Sequence, residues 1–260
     1  MKKPRKTFSG RYGACIALGL LVLTGHAQAA PMVFVAQAFP PFVADQQGRA
    51  EGPFPDVVRA VCEAMKVPCT VEIYPWRRAL RMAEEGEADG ILVIQKLPER
   101  ERYLYLTGPI VQSAYSVFAT NTATIMYRQP MDLEGYTLGA YGPSATSQTA
   151  ESIAQAAPSI KLIIEIDNAT VLRKLSARRY GERAVGVMNV DVGNYLIKRD
   201  GIAGLKVIGE IKKIEYLIGL SRRKLSAKQA EEFNAALREL TRKNVIKAII
   251  EKYGMAAVSP

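Results

Sequence analysis

Glutamate and arginine alternate through residues 99–102, in the stretch PERERYLYLTGPI, which then turns apolar. An arginine carries a planar, permanently charged guanidinium that can pair with both oxygens of a carboxylate. One of these arginines could therefore hold an anionic ligand. Charge runs of this kind are usually solvated, so both interpretations stay open until the surrounding elements are considered.

The first thirty residues have the layout of a secretory signal peptide. Five Lys and Arg residues precede an apolar run, which is followed by Ala27-Gln28-Ala29. The run is shorter than the roughly 20 residues that a membrane span requires. Cys15 precedes most of the run, so it is badly placed for a lipid anchor. We expect cleavage after Ala29 and export of the remaining chain to the periplasm.

Removal of residues 1–29 would limit the chemistry of the exported chain. Five of the 35 basic residues leave with it, so the formal charge falls from +10 to +5. This modest charge, without a basic stripe or zinc-ligand spacing, does not favour nucleic-acid binding. The single histidine, His26, also leaves, which excludes Ser-His and Cys-His nucleophile pairs and histidine-ligated metals. No metal and no cofactor are expected.

Two cysteines remain in the exported chain, Cys62 and Cys69, in the stretch CEAMKVPC. An even number of cysteines in an oxidising compartment favours a disulfide. The alternatives are two buried free thiols or a metal pair, and two cysteines without histidine make a poor metal site. A bridge here would join the end of a helix to the start of the next strand.

Apolar periodicity predicts the same order of elements twice, strand and helix alternating as in a parallel sheet. In the first half the predicted strands are 32–36, 70–74 and 90–94, and the helices 54–65 and 76–86. In the second half the predicted strands are 136–141, 160–166 and 184–188, and the helices 144–155 and 169–179. Asp167 or Asn168 is positioned to cap the last of these helices.

Two extended segments, 113–121 and 215–223, flank the second half, and a charged helical tail follows. The simplest architecture inserts one α/β lobe into another. We predict that residues 30–115 and 219–260 form lobe 1 and that residues 116–218 form lobe 2. Ligands of such sheets bind outside the carboxyl ends of the strands, so two facing lobes predict one cleft and a hinge.

Several segments resemble the extracytoplasmic solute-binding proteins of the amino-acid type, family 3, which are the receptor components of ABC importers. The resemblance spans essentially the whole exported chain. It rests on the Cys-x6-Cys spacing, AFPPF at 38–42, GEADGILVI with PERERYLYLTGPI, and LEGYTLGAYGPSA. It implies a type II periplasmic-binding-protein fold, with two βαβαβ lobes joined by a two-strand hinge, and a disulfide between the cysteines.

The resemblance also implies ligand-binding residues in lobe 1. Arg100 falls where the family's carboxylate-binding arginine lies, whereas Arg102 is expected to be solvated. Phe39 and Trp76 each follow a predicted strand, where aromatic side chains contact the ligand in the family, although Trp76 could simply pack at a helix start. Gln95 stands where close relatives have a Ser-x-Ser type segment, and its amide could bond a ligand.

In lobe 2 the stretch GPSATSQ predicts a helix N-terminus that would favour an anionic group. Ser144 and Thr146 could add hydroxyls there or simply cap the helix, and both roles can hold together. Many amino-acid binders carry an aspartate for the ligand's ammonium after the following strand. In this chain Asn189-Val190-Asp191 occupies that region, with Val190 aligned to the aspartate. We list Asn189 and Asp191 as candidates, and Asp191 is equally a surface residue.

These observations predict a periplasmic receptor, expected to be a monomer and not an enzyme. It would bind a small polar solute carrying a carboxylate and deliver it to an inner-membrane ABC permease. One alternative is an enzyme on the same fold, similar to the cyclohexadienyl dehydratases that act on prephenate-like acids. Another is the ligand-binding domain of a sensor. Paired carboxylates at catalytic spacing, which would favour the enzyme, do not emerge from the sequence.

Overall fold

The computed structural model describes residues 1–3 and 30–258 of the 260-residue chain. The predicted signal peptide falls almost entirely outside the described residues. Within the described residues, no helix is both long and apolar enough to cross a membrane.

The first half of the chain folds as the periodicity predicts. Its parallel strands and helices alternate as β1 (Met32–Ala36), α1 (Pro53–Met65), β4 (Cys69–Ile73), α2 (Trp76–Glu85) and β5 (Gly90–Ile94). Strand β5 is buried along its whole length, as expected for a strand covered on both faces. Helix α2 ends at Gly86, whose φ of 80° is the left-handed conformation that glycine adopts most easily.

The second half repeats this order. Its elements are β8 (Thr137–Tyr141), α4 (Ala145–Ala156), β9 (Lys161–Glu165), α5 (Asn168–Ser176) and β10 (Ala184–Asn189). Asp167 is the residue that caps α5, because its Oδ1 accepts a hydrogen bond from the Thr170 backbone N–H at 2.6 Å. Helix α6 (Val190–Arg199) follows β10 directly and was not predicted.

Two long antiparallel strands pass between the halves. They are β7 (Val111–Thr120) and β11 (Leu205–Ser221). The predicted extension at 215–223 was too short, because β11 begins ten residues earlier, in a stretch whose alternating charges hid it. The strand order is β4-β1-β5-β11-β7-β10-β8-β9. Strand β11 pairs first with β7 and then, from Leu217, with β5. The two-lobed α/β architecture is therefore present, and the exact lobe boundaries stay a prediction.

The C-terminal helices α7 (Ala227–Arg242) and α8 (Val245–Lys252) pack on α1. Ser226 and Gln229 form a capping box at the start of α7. Phe233 of α7 packs on Phe34 of β1, with ring centroids 5.5 Å apart. These contacts return the tail to the first half of the chain.

The disulfide joins Cys62, near the end of α1, to Cys69, the first residue of β4, with Cα atoms 6.1 Å apart. Five short elements were not predicted: the hairpin β2 (Ala44–Gln46) and β3 (Arg49–Glu51), the one-turn helix α3 (Pro98–Glu101), β6 (Leu104–Leu106) and a 3-10 turn (Pro130–Leu133). Helix α3 is the charge run, so its arginines belong to a helical turn after β5.

Candidate ligand-binding site

A cavity of about 520 Å³ lies between the two halves of the molecule. Residues that follow the carboxyl ends of parallel strands line it on both sides, as expected for open α/β sheets. After β1, β4 and β5 these residues are Phe39, Trp76, Gln95 and Arg100. After β8 and β9 and at the end of β10 they are Ser144, Thr146, Asp167, Asn168 and Asn189.

Seven of the eight residues singled out from the sequence line this cavity: Phe39, Trp76, Gln95, Arg100, Ser144, Thr146 and Asn189. Asp191 does not. It lies in the first turn of α6, and its carboxylate accepts a hydrogen bond from the Ser113 hydroxyl. Burial raises the pKa of the Asp191 carboxyl, and the hydrogen bond from Ser113 only partly opposes this shift.

Arg100 is the half-buried cation of the cavity. Its Nη1 donates a hydrogen bond to the backbone carbonyl of Gln95 at 3.0 Å, and its guanidinium lies 5.5 Å from the centroid of the Trp76 ring. No carboxylate among the described residues pairs with it. Burial lowers the pKa of Arg100, and the nearby Tyr103 and Glu99 act against that shift. The guanidinium stays charged and has free donors for an anion.

Aromatic side chains form much of the wall around Arg100. Phe39 packs against Phe42, with ring centroids 5.3 Å apart, and meets Tyr216 edge to face at 6.1 Å. These contacts fix the Phe39 ring after β1. Trp76 is half-buried at the start of α2, with Arg100 over its ring. Trp76 therefore packs at the helix start and also lines the cavity.

A set of polar side chains in the cavity wall forms hydrogen bonds to both long strands. Asn189 donates through Nδ2 to the Ser113 hydroxyl at 2.8 Å and to the Tyr216 hydroxyl at 3.3 Å. The Gln95 Nε2 donates a hydrogen bond to the Tyr115 hydroxyl at 2.8 Å. Burial raises the pKa of Tyr216 well above its usual value, so its phenol stays neutral. The network links β5, β7, β10 and β11.

Three helices of the second half begin at the cavity, and each is capped by its own preceding residue. The Ser144 hydroxyl accepts from the backbone N–H groups of Thr146 and Ser147 at 3.2 and 3.1 Å and donates to the Tyr141 carbonyl. Asp167 and Asn189 cap α5 and α6 in the same manner. Ser144 therefore caps α4, and its hydroxyl donates one hydrogen bond and accepts two within the protein.

Sequence reasoning missed several lining residues. They include Tyr115, Tyr141, Asn168, Arg199 and Tyr216. Asn168 Oδ1 is a buried oxygen without a hydrogen-bond partner among the described residues. Its position three residues after the end of β9 could have pointed to the site, because ligands gather at strand ends. The two tyrosines of β7 and β11 gave no such signal, since interior strand residues usually belong to the core.

No group of three or more potential metal ligands occurs among residues 1–3 and 30–258. The lining combines the half-buried Arg100 with several aromatic rings and neutral hydrogen-bonding groups, and its other charged residues, Arg199 and Asp167, are paired with Asp200 and Arg173. Such an arrangement is suited to a small organic anion.

The family model for bacterial extracellular solute-binding proteins, family 3, matches residues 32–256. The chain belongs to this family. The fold is that of the type II periplasmic binding proteins. No curated protein matches the chain significantly.

Solved structures share this fold at low sequence identity. A histidine kinase sensor domain with similarity to periplasmic binding proteins is 21% identical, with a TM-score of 0.73, and the match covers 90% of this chain and 99% of that one. The arginine-, lysine-, histidine-binding protein ArtJ from Geobacillus stearothermophilus is 18% identical, with a TM-score of 0.68 and coverage of 86% and 95%. The ancestral amino acid-binding protein AncCDT-1, a precursor of cyclohexadienyl dehydratase, is 15% identical, with a TM-score of 0.70 and coverage of 86% and 94%.

Proposed function

We propose that this protein is a periplasmic receptor that binds a small carboxylate-bearing solute in the cavity and delivers it to an ABC importer. The observation that carries the proposal is Arg100, a half-buried guanidinium in the cavity with no carboxylate partner among the described residues. A buried charge without a counter-ion is costly, so an anionic ligand would remove that cost.

Both sides of the cavity contribute to the proposed contacts. Arg100 would pair with the carboxylate, and Phe39 and Trp76 would cover the body of the solute. The start of α4, including Ala145 and Thr146, faces the same cavity and would add favourable dipole interactions. A ligand that touches both lobes favours the closed form by its difference in affinity between the open and closed states. We propose that the permease recognises that closed form.

The acidic side chain that lines the cavity is poorly suited to catalysis, which favours binding without turnover. Asp167 is the acidic side chain in the lining, and both of its oxygens accept hydrogen bonds from Thr170 at the start of α5. A carboxylate held in this way is a weak candidate for general acid or base catalysis. Incubation of the protein with each bound acid, followed by chromatography, would reveal any turnover.

A thermal-shift screen tests the proposal. Purified protein is unfolded and refolded to remove co-purified ligand, then mixed with amino acids, other carboxylates, polyamines and sugars. A compound that binds the folded state stabilises it by about 2.7 kcal/mol at a hundred times its Kd. We expect stabilisation by carboxylates. Since Arg100 would form charge-assisted hydrogen bonds worth about 2 to 4 kcal/mol in total, Arg100→Ala should weaken binding by about a hundredfold.

Arg102→Ala is the matched control, because Arg102 is exposed on the same helical turn and does not line the cavity. It should leave carboxylate binding unchanged. Stabilisation by sugars or polyamines alone, equal in the wild-type protein and in Arg100→Ala, would reject the proposed function.

A further inference from the structure

We infer that the solute is a monocarboxylate with an apolar or aromatic body and no ammonium group, such as a 2-hydroxy acid. This inference rests on the proposed function and narrows it. It follows from the balance of charge around the cavity and from the side chains that form its walls.

The charges of the cavity leave one cation uncompensated. Arg199 is neutralised by Asp200, with Nε 2.6 Å from Oδ1. Asp167 is offset by Arg173, whose Nη2 lies 3.9 Å from Oδ1, and both of its carboxylate oxygens also accept hydrogen bonds from Thr170. Arg100 is left without such a partner in the described part of the chain. The lining is therefore matched to a ligand with a net negative charge.

The polar wall at the end of β10 is neutral. Asn189 is 2% exposed, and its amide oxygen accepts from the Val192 backbone N–H at 3.0 Å. Its amide nitrogen donates to Ser113 and Tyr216. Asp191, two residues later, is turned to Ser113 and does not line the cavity. No carboxylate is presented to the ligand from this strand end.

An ammonium group would lose its hydration in this cavity without gaining a free counter-ion. Burial of an unpaired charge costs several kcal/mol, so a zwitterion is penalised relative to an anion of the same shape. A hydroxyl at the same position has a far smaller desolvation cost. The neutral Oδ1 of Asn168, which lacks a partner in the described residues, is an acceptor suited to such a group.

The remaining walls favour an apolar body. Phe39, Trp76, Leu92, Val192 and Leu196 all contribute to the lining. Together with the tyrosines they form aromatic and aliphatic surface on both sides of the cavity. A volume of about 520 Å³ is sufficient for a mono- or bicyclic aromatic acid.

Isothermal titration calorimetry with matched pairs of ligands tests the inference. The pairs are 3-phenyllactate and phenylalanine, 2-hydroxy-4-methylpentanoate and leucine, and indole-3-lactate and tryptophan. The two members of a pair have nearly the same shape, but one carries a hydroxyl at the carbon next to the carboxylate and the other carries an ammonium there. We expect the hydroxy acid of at least one pair to bind at least about tenfold more tightly than its amino acid, and Arg100→Ala to weaken that binding by about a hundredfold.

The outcomes separate the two proposals. Amino acids that bind as tightly as their hydroxy acids, and that need Arg100, would overturn this inference and leave the proposed function intact. An absence of binding by every member at millimolar concentration would overturn this inference, and the thermal-shift screen would then decide the proposed function. Binding that Arg100→Ala does not weaken would overturn both.

Asn189→Asp provides a second, gain-of-function test. Aspartate caps a helix as well as asparagine does, so α6 should be retained, and the change adds a carboxylate to the cavity wall. The preference for hydroxy acids should fall by about tenfold or reverse. Asn194→Asp adds the same charge to an exposed position of α6 and should change nothing. Equal preferences in Asn189→Asp and the wild-type protein would contradict the inference.

Discussion

The two lobes use the same order of strands and helices but bring different groups to the cavity. Lobe 1 presents long side chains: Phe39, Trp76, Gln95 and Arg100. Lobe 2 presents the starts of three helices, capped by Ser144, Asp167 and Asn189. The repeated module therefore sets where a ligand lies, and the residues after each strand set what that ligand is.

Connection length explains part of this difference. In lobe 2, β10 runs directly into α6, and two or three residues separate β8 from α4 and β9 from α5. Helix N-termini therefore lie at the cavity edge and supply partial positive charge. In lobe 1, a hairpin separates β1 from α1, and this longer connection carries Phe39 to the cavity. The β4–α2 and β5–α3 connections are as short as those of lobe 2, so there the difference lies in the residue types.

The disulfide is expected to give the largest effect, because Cys62 and Cys69 of lobe 1 are the two cysteines that follow residue 29. The bridge closes a loop across a separation of seven residues. In the chain-entropy model, such a loop contributes about 2.5 kcal/mol to stability. Replacement of Cys62 and Cys69 by serine should lower the free energy of unfolding by about this amount, measured by urea denaturation.

At a temperature where the double variant is still folded, its ligand affinity should change little, because neither cysteine lines the cavity. Wild-type protein treated with a reductant under the same conditions serves as the control. A stability loss below about 0.5 kcal/mol would mean that lobe 1 does not depend on its bridge.

Trp76→Ala is expected to have the next largest effect, and it tests whether lobe 1 acts through its side chains. The variant removes the ring that lies against Arg100 and forms part of the wall. Since aromatic and cation–π contacts contribute about 0.5 to 2 kcal/mol, carboxylate affinity should fall by about tenfold in calorimetry. Trp76→Phe keeps an aromatic face and should lose less than half of that free energy. Equal losses in both variants would point to a requirement for the indole itself.

Much of the fold could be predicted because apolar periodicity and caps are local signals. Strand β5 and helix α2 lie at their predicted positions, with Gly86 ending the helix. Helix α6 and the first part of β11 were missed. Helix α6 follows β10 without a break, and β11 alternates charged residues over a length that exceeds the usual strand. Such elements depend on tertiary pairing with β7, which local sequence does not reveal.

The candidate site was partly predictable for a similar reason. Residues directly after a strand, such as Phe39 and Trp76, can be placed at the cavity from topology alone. Side-chain direction cannot. Asp191 and Asn189 are two residues apart, yet one turns to Ser113 and the other lies in the cavity wall. The missed Tyr115 and Tyr216 come from strands that cross between the lobes, and only the folded sheet brings them together.

Ser144→Ala tests the complementary claim, that lobe 2 acts through its helix start and not through this hydroxyl. Loss of an N-cap costs about 1 kcal/mol, so the melting temperature should fall by a few degrees. Carboxylate affinity should change by less than about threefold. Ser226→Ala removes the equivalent cap of α7, away from the cavity, and should lower stability without any effect on binding. A tenfold loss of affinity confined to Ser144→Ala would show that the hydroxyl binds ligand directly.

The smallest expected effects on stability come from two aspartates, Asp191 in the first turn of α6 and Asp200 at its C-cap. Their pKa values shift in opposite directions. Burial raises the pKa of Asp191 above 3.8, whereas the hydrogen bond from Arg199 lowers that of Asp200. The folded state therefore holds the Asp191 proton more tightly than the unfolded state does, and this carboxyl destabilises the fold as pH rises from about 4. Asp200 instead contributes stability above its ordinary pKa, and this contribution disappears as pH falls.

Urea denaturation of Asp191→Asn and Asp200→Asn between pH 3 and 7 separates these contributions, because each variant removes one titration and leaves the other carboxyls unchanged. Relative to the wild-type protein, Asp191→Asn should gain stability as pH rises, and Asp200→Asn should lose it. If the free energies of unfolding of the two variants changed with pH in the same way, the Asp191 carboxyl would be hydrated in solution. Its carboxylate would then be available near the cavity, and the neutrality of the lobe 2 wall would be wrong.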